Sequence, residues 1–260
     1  MKSFFYVVLI SVIIVSCKKK DDSSSAQTNS NVNLSSGLVA SYPFTGNAFD
    51  ISGHNYNGTV NGATLTNDRF GNPNSAYSFN GTNNYIDLSG YVSSFNFTQP
   101  ASISFWVKSN YDGGQAIFSE SASGAAPYST NIDIGNNTTT SLSNELVLVT
   151  HQNSTTNFYI AGYTTSNRNL LFDNNWHHIV SVYDSVSTKI YLDNALLSLS
   201  CNYGTNNGQY GNVPNATIAV LGTRYASGYG AFFNGSLDDV RIYNRVLSST
   251  EVSALFHVTN

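Results

Sequence analysis

Charge is scarce in this sequence: only 10% of its 260 residues are Asp, Glu, Lys or Arg, and the net charge is -4. A nucleic-acid-binding surface needs a clustered basic face, so this composition argues against nucleic acid as a partner. Cysteine is limited to Cys17 and Cys201, too few for a disulfide framework. The apolar run from Phe4 to Val15 is about a dozen residues, too short to cross a ~30 Å hydrocarbon core as a helix. Helical periodicity is missing from almost the whole chain, and without alternating strands and helices no parallel βαβ sheet can be built.

What is abundant points to strands and turns. Aromatic residues make up 13% of the chain, led by 17 Tyr and 15 Phe, alongside 20 Gly and much Asn, Ser and Thr. Aromatic and β-branched side chains suit a pleated, half-buried surface, and Gly and Asn suit the turns between strands. Period-2 alternation recurs along the chain. Ser102 to Lys108 puts Ile103, Phe105 and Val107 on one face and the serines, Trp106 and Lys108 on the other. Further strands are expected at Glu145–Thr150, Asn157–Ile160, His177–Tyr183, Lys189–Leu192, Ala216–Leu221 and Ser236–Tyr243. Asp193-Asn194 tolerates the positive φ angles of a type I′ turn, which would return Ala195-Leu196-Leu197 antiparallel to the preceding strand. One stretch reads as helix, Ser248 to Phe256, where Ser248 and Glu251 have the spacing of a capping box. The fold class expected is all-β, two packed antiparallel sheets with one short C-terminal helix.

The first residues differ from the rest. Lys2 precedes the short apolar run, which exits through Ile14-Val15-Ser16-Cys17. A basic start, a short apolar centre and a small-residue exit describe a secretion signal. The exit resembles the bacterial lipobox, which implies acylation of Cys17, cleavage before it, and stable membrane anchoring through the acyl chains. An ordinary signal peptide with a chance cysteine is the alternative. Lys18-Lys19-Lys20-Asp21-Asp22 resembles the surface-export signal of Bacteroidetes lipoproteins, which implies an outer-membrane, surface-exposed protein, although a solvated charge run reads the same way. The Ser- and Asn-rich stretch that follows cannot offset its ordering entropy and is read as a tether. The organisation expected is a signal peptide over 1–16, a lipid-anchored tether over 17–36 and one domain over 37–260. With Cys17 lipidated, Cys201 has no intrachain partner; it sits in a polar Gly/Asn stretch expected to be a loop.

Several short blocks in order carry a family resemblance. They are Leu38–Phe44 with Asp50-Ile51-Ser52-Gly53 and Asn57-Gly58; Ala76–Thr82 with Asn84-Tyr85-Ile86; Ile103–Val107; Trp176–Val180; and Gly235–Ser248. Together they resemble the LamG-like jelly-roll domains of the concanavalin A-like lectin/glucanase superfamily. The resemblance implies a jelly-roll sandwich and a structural Ca²⁺ tying the N-terminal loop to the last long strand. Carried over, it gives Asp50 and Asp238 as ligands, and the His54–Asn57 turn can complete the shell with Asn57 as the third, a cation of this kind taking six to eight oxygens. Two other readings stay open: Asp50 can form an Asx-type turn with Ser52 or Gly53, and Asp238 can pair with Arg241 or Arg245. Neighbouring strand residues point to opposite faces. Asp238 and Asp239 should therefore diverge, and so should His177 and His178, one packed and one solvated.

The superfamily includes glycosidases, which need two carboxyl groups held ~5 Å or ~6.5–9.5 Å apart. The chain has Glu120, Glu145 and Glu251 as its only glutamates, and none stands in the Glu-x-Asp-x-x-Glu pattern of those enzymes. A non-catalytic binding module is therefore expected. Two Tyr-, Gly- and Asn-rich segments, Tyr203–Tyr210 and Arg224–Tyr229, offer aromatic rings and polar groups for a sugar, with Tyr203, Tyr210, Arg224, Tyr225 and Tyr229 as candidate contacts. The partner expected is a polysaccharide or glycan. A surface protein bound by the sandwich rim is the first alternative, and an atypical carboxylate pair acting as a glycosidase is the second.

Overall fold

The computed structural model describes residues 32–95, 100–122, 129–135, 145–152, 157–163, 170–184, 187–203, 216–225 and 229–259. Cys17, the expected signal peptide and Tyr210 lie outside them. In chain order the strands are β1 (Leu38–Tyr42), β2 (Thr59–Asn61), β3 (Thr64–Thr66), β4 (Ala76–Asn80), β5 (Tyr85–Asp87), β6 (Ala101–Lys108), β7 (Gln115–Ser121), β8 (Ser129–Ile134) and β9 (Glu145–Gln152). They continue with β10 (Asn157–Tyr163), β11 (Trp176–Tyr183), β12 (Thr188–Leu192), β13 (Ala195–Leu196), β14 (Ser198–Tyr203), β15 (Ile218–Leu221), β16 (Arg224–Tyr225), β17 (Tyr229–Gly230) and β18 (Asn234–Tyr243). A short helical turn, α1 (Val92–Phe95), precedes β6, and α2 (Ser249–Phe256) closes the chain.

These strands form two antiparallel sheets packed as a sandwich. The first runs β13-β12-β11-β6-β18-β4-β3, with β1 on the free half of the β18 edge; the second runs β14-β10-β9-β8-β7-β15-β5-β2. The expected two-sheet jelly-roll class is what is found. Ile103, Phe105 and Val107 of β6 point inward, with Ile179 opposite Phe105 and Leu237 opposite Val107. From the second sheet Ile117, Phe118, Ile132 and Leu221 complete the same core. Each such side chain contributes roughly 1.5–3 kcal/mol on leaving water.

A second, smaller core explains why the outer face of the first sheet is also partly apolar. Val180, Val182 and Tyr243 face outward and are covered by Val252 and Leu255 of α2 together with Leu247. Ser248 accepts from the Glu251 backbone N–H, and the Glu251 carboxylate accepts from Ser248 N–H at 2.8 Å, closing the capping box. The Asp193-Asn194 turn has φ of 48° and 66° at its two residues, as a type I′ turn requires.

Three local expectations are corrected. Cys201 and Tyr203 belong to β14, where Cys201 lies opposite Ile160 and Tyr203 opposite Tyr159; ladder hydrogen bonds, not side-chain pattern, hold this edge. The Arg224–Tyr229 segment is a hairpin of β16 and β17. Strands β7 and β8 went unexpected because Gln115, Ser119, Glu120 and Ser121 break the apolar alternation, although the whole of β7 is buried.

Candidate ligand-binding site

Three polar residues of the second sheet, Ser119, Asn131 and Asp133, lie on its face away from the core. Phe118, opposite Leu221 and Ile132, faces inward, so the adjacent Ser119 and Asn131 face outward and meet, Ser119 Oγ donating to Asn131 Oδ1 at 2.7 Å. Asp133, two residues beyond Asn131, shares that face and is 1% exposed. Gly222 directs the chain over it. Its φ of +83° belongs to the left-handed region, and a Cβ there would stand 2.5 Å from the Phe79 ring. The turn is fixed by Thr223 Oγ1, which donates to the Gly230 carbonyl at 2.9 Å. Arg224, next in the chain, forms an ion pair with Asp133.

This pair leaves polar atoms without partners. Asp133 Oδ1 and Arg224 Nε are buried and make no hydrogen bond among the described residues. Burial pushes the Asp133 carboxyl up to about 6, and the Arg224 guanidinium offsets only part of that rise. Buried polar groups are normally paired, because an unmet donor or acceptor costs ~1–3 kcal/mol. The unmet atoms are themselves closed to solvent, and Arg224, whose side chain is 25% exposed, is the part of the pair that a ligand can reach. Tyr225 and Tyr229 lie opposite each other across the hairpin that Arg224 opens.

The structure thus groups Arg224, Tyr225 and Tyr229. It separates Tyr203, whose strand β14 is the edge of the second sheet, with β10 and β9 between it and β8.

The three expected calcium ligands divide between two networks. Asp50 Oδ1 accepts from the N–H groups of Ser41 at 2.9 Å and Ser52 at 2.8 Å; Oδ2 accepts from Ser52 Oγ at 2.8 Å and Tyr56 N–H at 3.0 Å. Asn57 is brought to it, its Oδ1 accepting from Asp50 N–H at 3.0 Å. This is the Asx-type turn, extended to clamp the free edge of β1. Asp238, by contrast, faces Arg69, whose Nη1 lies 2.5 Å from its Oδ2. With N–H donors around one carboxylate and a guanidinium on the other, the three residues do not fit one shared calcium. Among the described residues no group of three or more His, Cys, Asp or Glu side chains can hold a metal ion.

Arg69, like Asp133, is a residue that sequence reasoning missed. It also meets Asp239 at 2.7 Å and donates to the Val258 carbonyl at 3.2 Å. Its guanidinium lies 4.3 Å from the Phe70 ring centroid and 4.8 Å from that of Trp106. Asp238 and Asp239 do not diverge as a regular strand would have them. A bulge in β18, with Asp239 at φ 47°, turns both carboxylates to the same guanidinium. Burial, then the neighbouring Asp239, raises Asp238 to about 7 against the lowering effect of Arg69.

The two histidines do diverge. His178 is buried against Trp106 and Phe256, its Nε2 2.8 Å from Ser104 Oγ, and burial holds it down to about 3. His177 is less solvated than expected, bridging Asp193 at 2.7 Å and Asp173 at 3.1 Å. Burial works against its charged form, but the two carboxylates outweigh it and raise its pKa.

Comparison with known proteins is consistent with this geometry. No curated protein matches the chain in sequence. Among solved structures, domain 4 of the extracellular arabinanase AbnA from Geobacillus stearothermophilus, in complex with arabinotriose, is 18% identical with a TM-score of 0.57, over 85% of this chain and 98% of that one. The botulinum neurotoxin type C structure described as depending on two ganglioside molecules for cell entry is 15% identical, with a TM-score of 0.62, over 87% of this chain and 52% of that one. The binding domain of botulinum neurotoxin DC in complex with rat synaptotagmin II is 15% identical, with a TM-score of 0.57, over 85% and 52%. This chain therefore spans about half the length of the neurotoxin chains, and likeness at these identities is one of fold. A laminin G family model, described as the concanavalin A-like lectin/glucanases superfamily, matches residues 80–253, more than half of the sequence, and the chain belongs to that family.

Proposed function

We propose that this domain is a non-catalytic glycan-binding module, displayed at the cell surface on a lipidated Cys17. The observation that carries the reading is the Asp133–Arg224 pair, which holds a partly exposed guanidinium at the start of a tyrosine-bearing hairpin. Sugar hydroxyls can accept from such a guanidinium, while aromatic rings cover the apolar face of the sugar ring. The folds it is similar to include one solved with arabinotriose and one described by its gangliosides, which supports a sugar as ligand. The lipobox at Ile14–Cys17 and the polar tether behind it support the anchor, and tethering raises the effective concentration of a weak binder.

A glycan array probed with wild-type protein and with Arg224→Ala tests this. Arg224→Ala should abolish sugar binding and also lower the thermal midpoint, since it strips the buried Asp133 carboxylate of its counter-charge. Arg224→Lys, which keeps the charge but not the guanidinium fork, should weaken binding with the midpoint near wild type. An array with no hits together with a specific protein partner would replace this reading with adhesion, which the synaptotagmin complex of a similar fold supports as the second reading. Release of product from a polysaccharide would replace it with hydrolysis.

A further inference from the structure

A cavity of about 520 Å³ opens on the sandwich away from the Asp133–Arg224 pair, where the entering chain, the Asp50 loop and α1 converge. Its size falls within the range of about 300–1,000 Å³ typical of small-ligand sites. The lining mixes aromatic and aliphatic surface from His54, Tyr56 and Leu38 with hydroxyl and amide groups from Ser35, Ser94 and Asn244. Among the described residues, no carboxylate, lysine or arginine lines it.

The aromatic wall is held rigid. Tyr56 is stacked between His54, at 5.3 Å and 21°, and Tyr91, at 4.9 Å and 29°, with Phe95 edge-on at 6.2 Å. Its backbone is held at both ends: Tyr56 N–H donates to Asp50 Oδ2 at 3.0 Å, and its carbonyl accepts from Tyr42 Oη at 2.7 Å. His54 Nδ1 lies 2.9 Å from Ser52 Oγ, which orients the imidazole at the exposed end of the stack. A wall fixed before binding removes the ordering cost that a mobile loop would carry.

We propose that this cavity is a second ligand site, taking one or two neutral sugar residues with the His54 ring against the sugar, Tyr56 backing it, and the serines and Asn244 on its hydroxyls. The absence of charged side chains in the lining selects against uronates, phosphates and metal ions, each of which needs a counter-charge when removed from water. The site does not rest on the Asp133–Arg224 reading. With both occupied, one chain would hold a polysaccharide at two points, and the gain would come from effective concentration rather than new contacts.

The test is a chemical-shift titration of the histidine ring resonances of the full chain in mild detergent, with His54 assigned from the signal missing in His54→Ala. The probes are maltose, cellobiose and arabinotriose, with digalacturonate as the charged counterpart. At least one neutral sugar should move the His54 resonance to saturation, with a Kd of about 1 mM, and digalacturonate should not. Ser94→Phe, which fills the cavity, should weaken this binding ~tenfold or more, and Arg224→Ala should leave it unchanged. A His54 resonance unmoved by all three neutral sugars at about 20 mM, well above that Kd, overturns the proposal whatever the variants do. So does a shift of equal size with digalacturonate, or one lost in Arg224→Ala.

Discussion

Arg69 and Asp238 lie 169 residues apart in the chain and meet at 2.5 Å beneath the last residues of the protein. Arg69 is 4% exposed and Asp238 fully buried, and Asp239 shares the same guanidinium. The pair fastens the β3–β4 connection to the central strand β18 of the first sheet.

Removing that cation should be costly. Arg69→Met keeps most of the aliphatic stem but leaves the buried Asp238 carboxylate without a counter-charge, Asp239 retaining Arg241 at 3.7 Å, and should destabilise the domain by about 3–5 kcal/mol at pH 8. The loss should shrink at pH 5, where protonation relieves the uncompensated charge. Urea denaturation of both proteins at the two pH values measures it, and equal losses at both would refute the electrostatic account.

Glu120 should make stability fall as pH rises. It is 3% exposed, its Oε2 makes no hydrogen bond among the described residues, and burial pushes its carboxyl from 4.5 up to about 8. A carboxyl raised in the folded state contributes stability that is fully present below its unfolded value and lost as pH climbs through about 8. Glu120→Gln, which cannot ionise, should flatten the stability profile between pH 5 and 9 by about 3–5 kcal/mol. A profile with the slope of wild type would show that Glu120 does not titrate there.

Asp50 should matter through its N–H donors rather than through a metal. Asp50→Ala strands the backbone donors of Ser41, Ser52 and Tyr56 and should cost about 2–4 kcal/mol. Thermal melts with calcium and with a chelator should give the same midpoint for wild type and variant alike. A midpoint raised by calcium would reinstate a resident ion, because a ligand that binds only the folded state must stabilise it.

The capping box can be tested in isolation. Ser248→Ala removes the side-chain acceptor of the Glu251 N–H and should cost ~1 kcal/mol. The helix buries Val252 and Leu255 over the first sheet, so amide exchange should quicken at Val180 and Val182 beneath it as well as in α2 itself. Exchange confined to α2 would mean that the second core survives without its cap.

Much of the architecture was legible because it is written in local periods. Ile103, Phe105 and Val107 alternate with Ser102, Ser104 and Trp106, and no neighbour is needed to see which set is apolar. Asp193-Asn194 and the Ser248/Glu251 spacing are equally local, one a matter of φ tolerance, the other of reach within a single helical turn. Where polar residues enter a buried strand the signal fails. Strand β7 went unread because Ser119 and Ser121 face Asn131 and its neighbours on a polar sheet face, which only the sandwich creates.

The candidate sites divide the same way. Composition and sequence blocks determined an all-β sandwich, its closing helix and the choice of Arg224, Tyr225 and Tyr229 as a group, since these lie within a few residues of one another. Tertiary structure alone decided that Arg224 meets Asp133, that Asp238 answers to Arg69 rather than joining Asp50, and that Tyr203 stands apart on β14. The physical reason is that a carboxylate's partner is set by whichever donor the fold brings within about 3 Å. A β-bulge at Asp239, which turns two adjacent side chains toward one cation, leaves no mark in the spacing of the sequence.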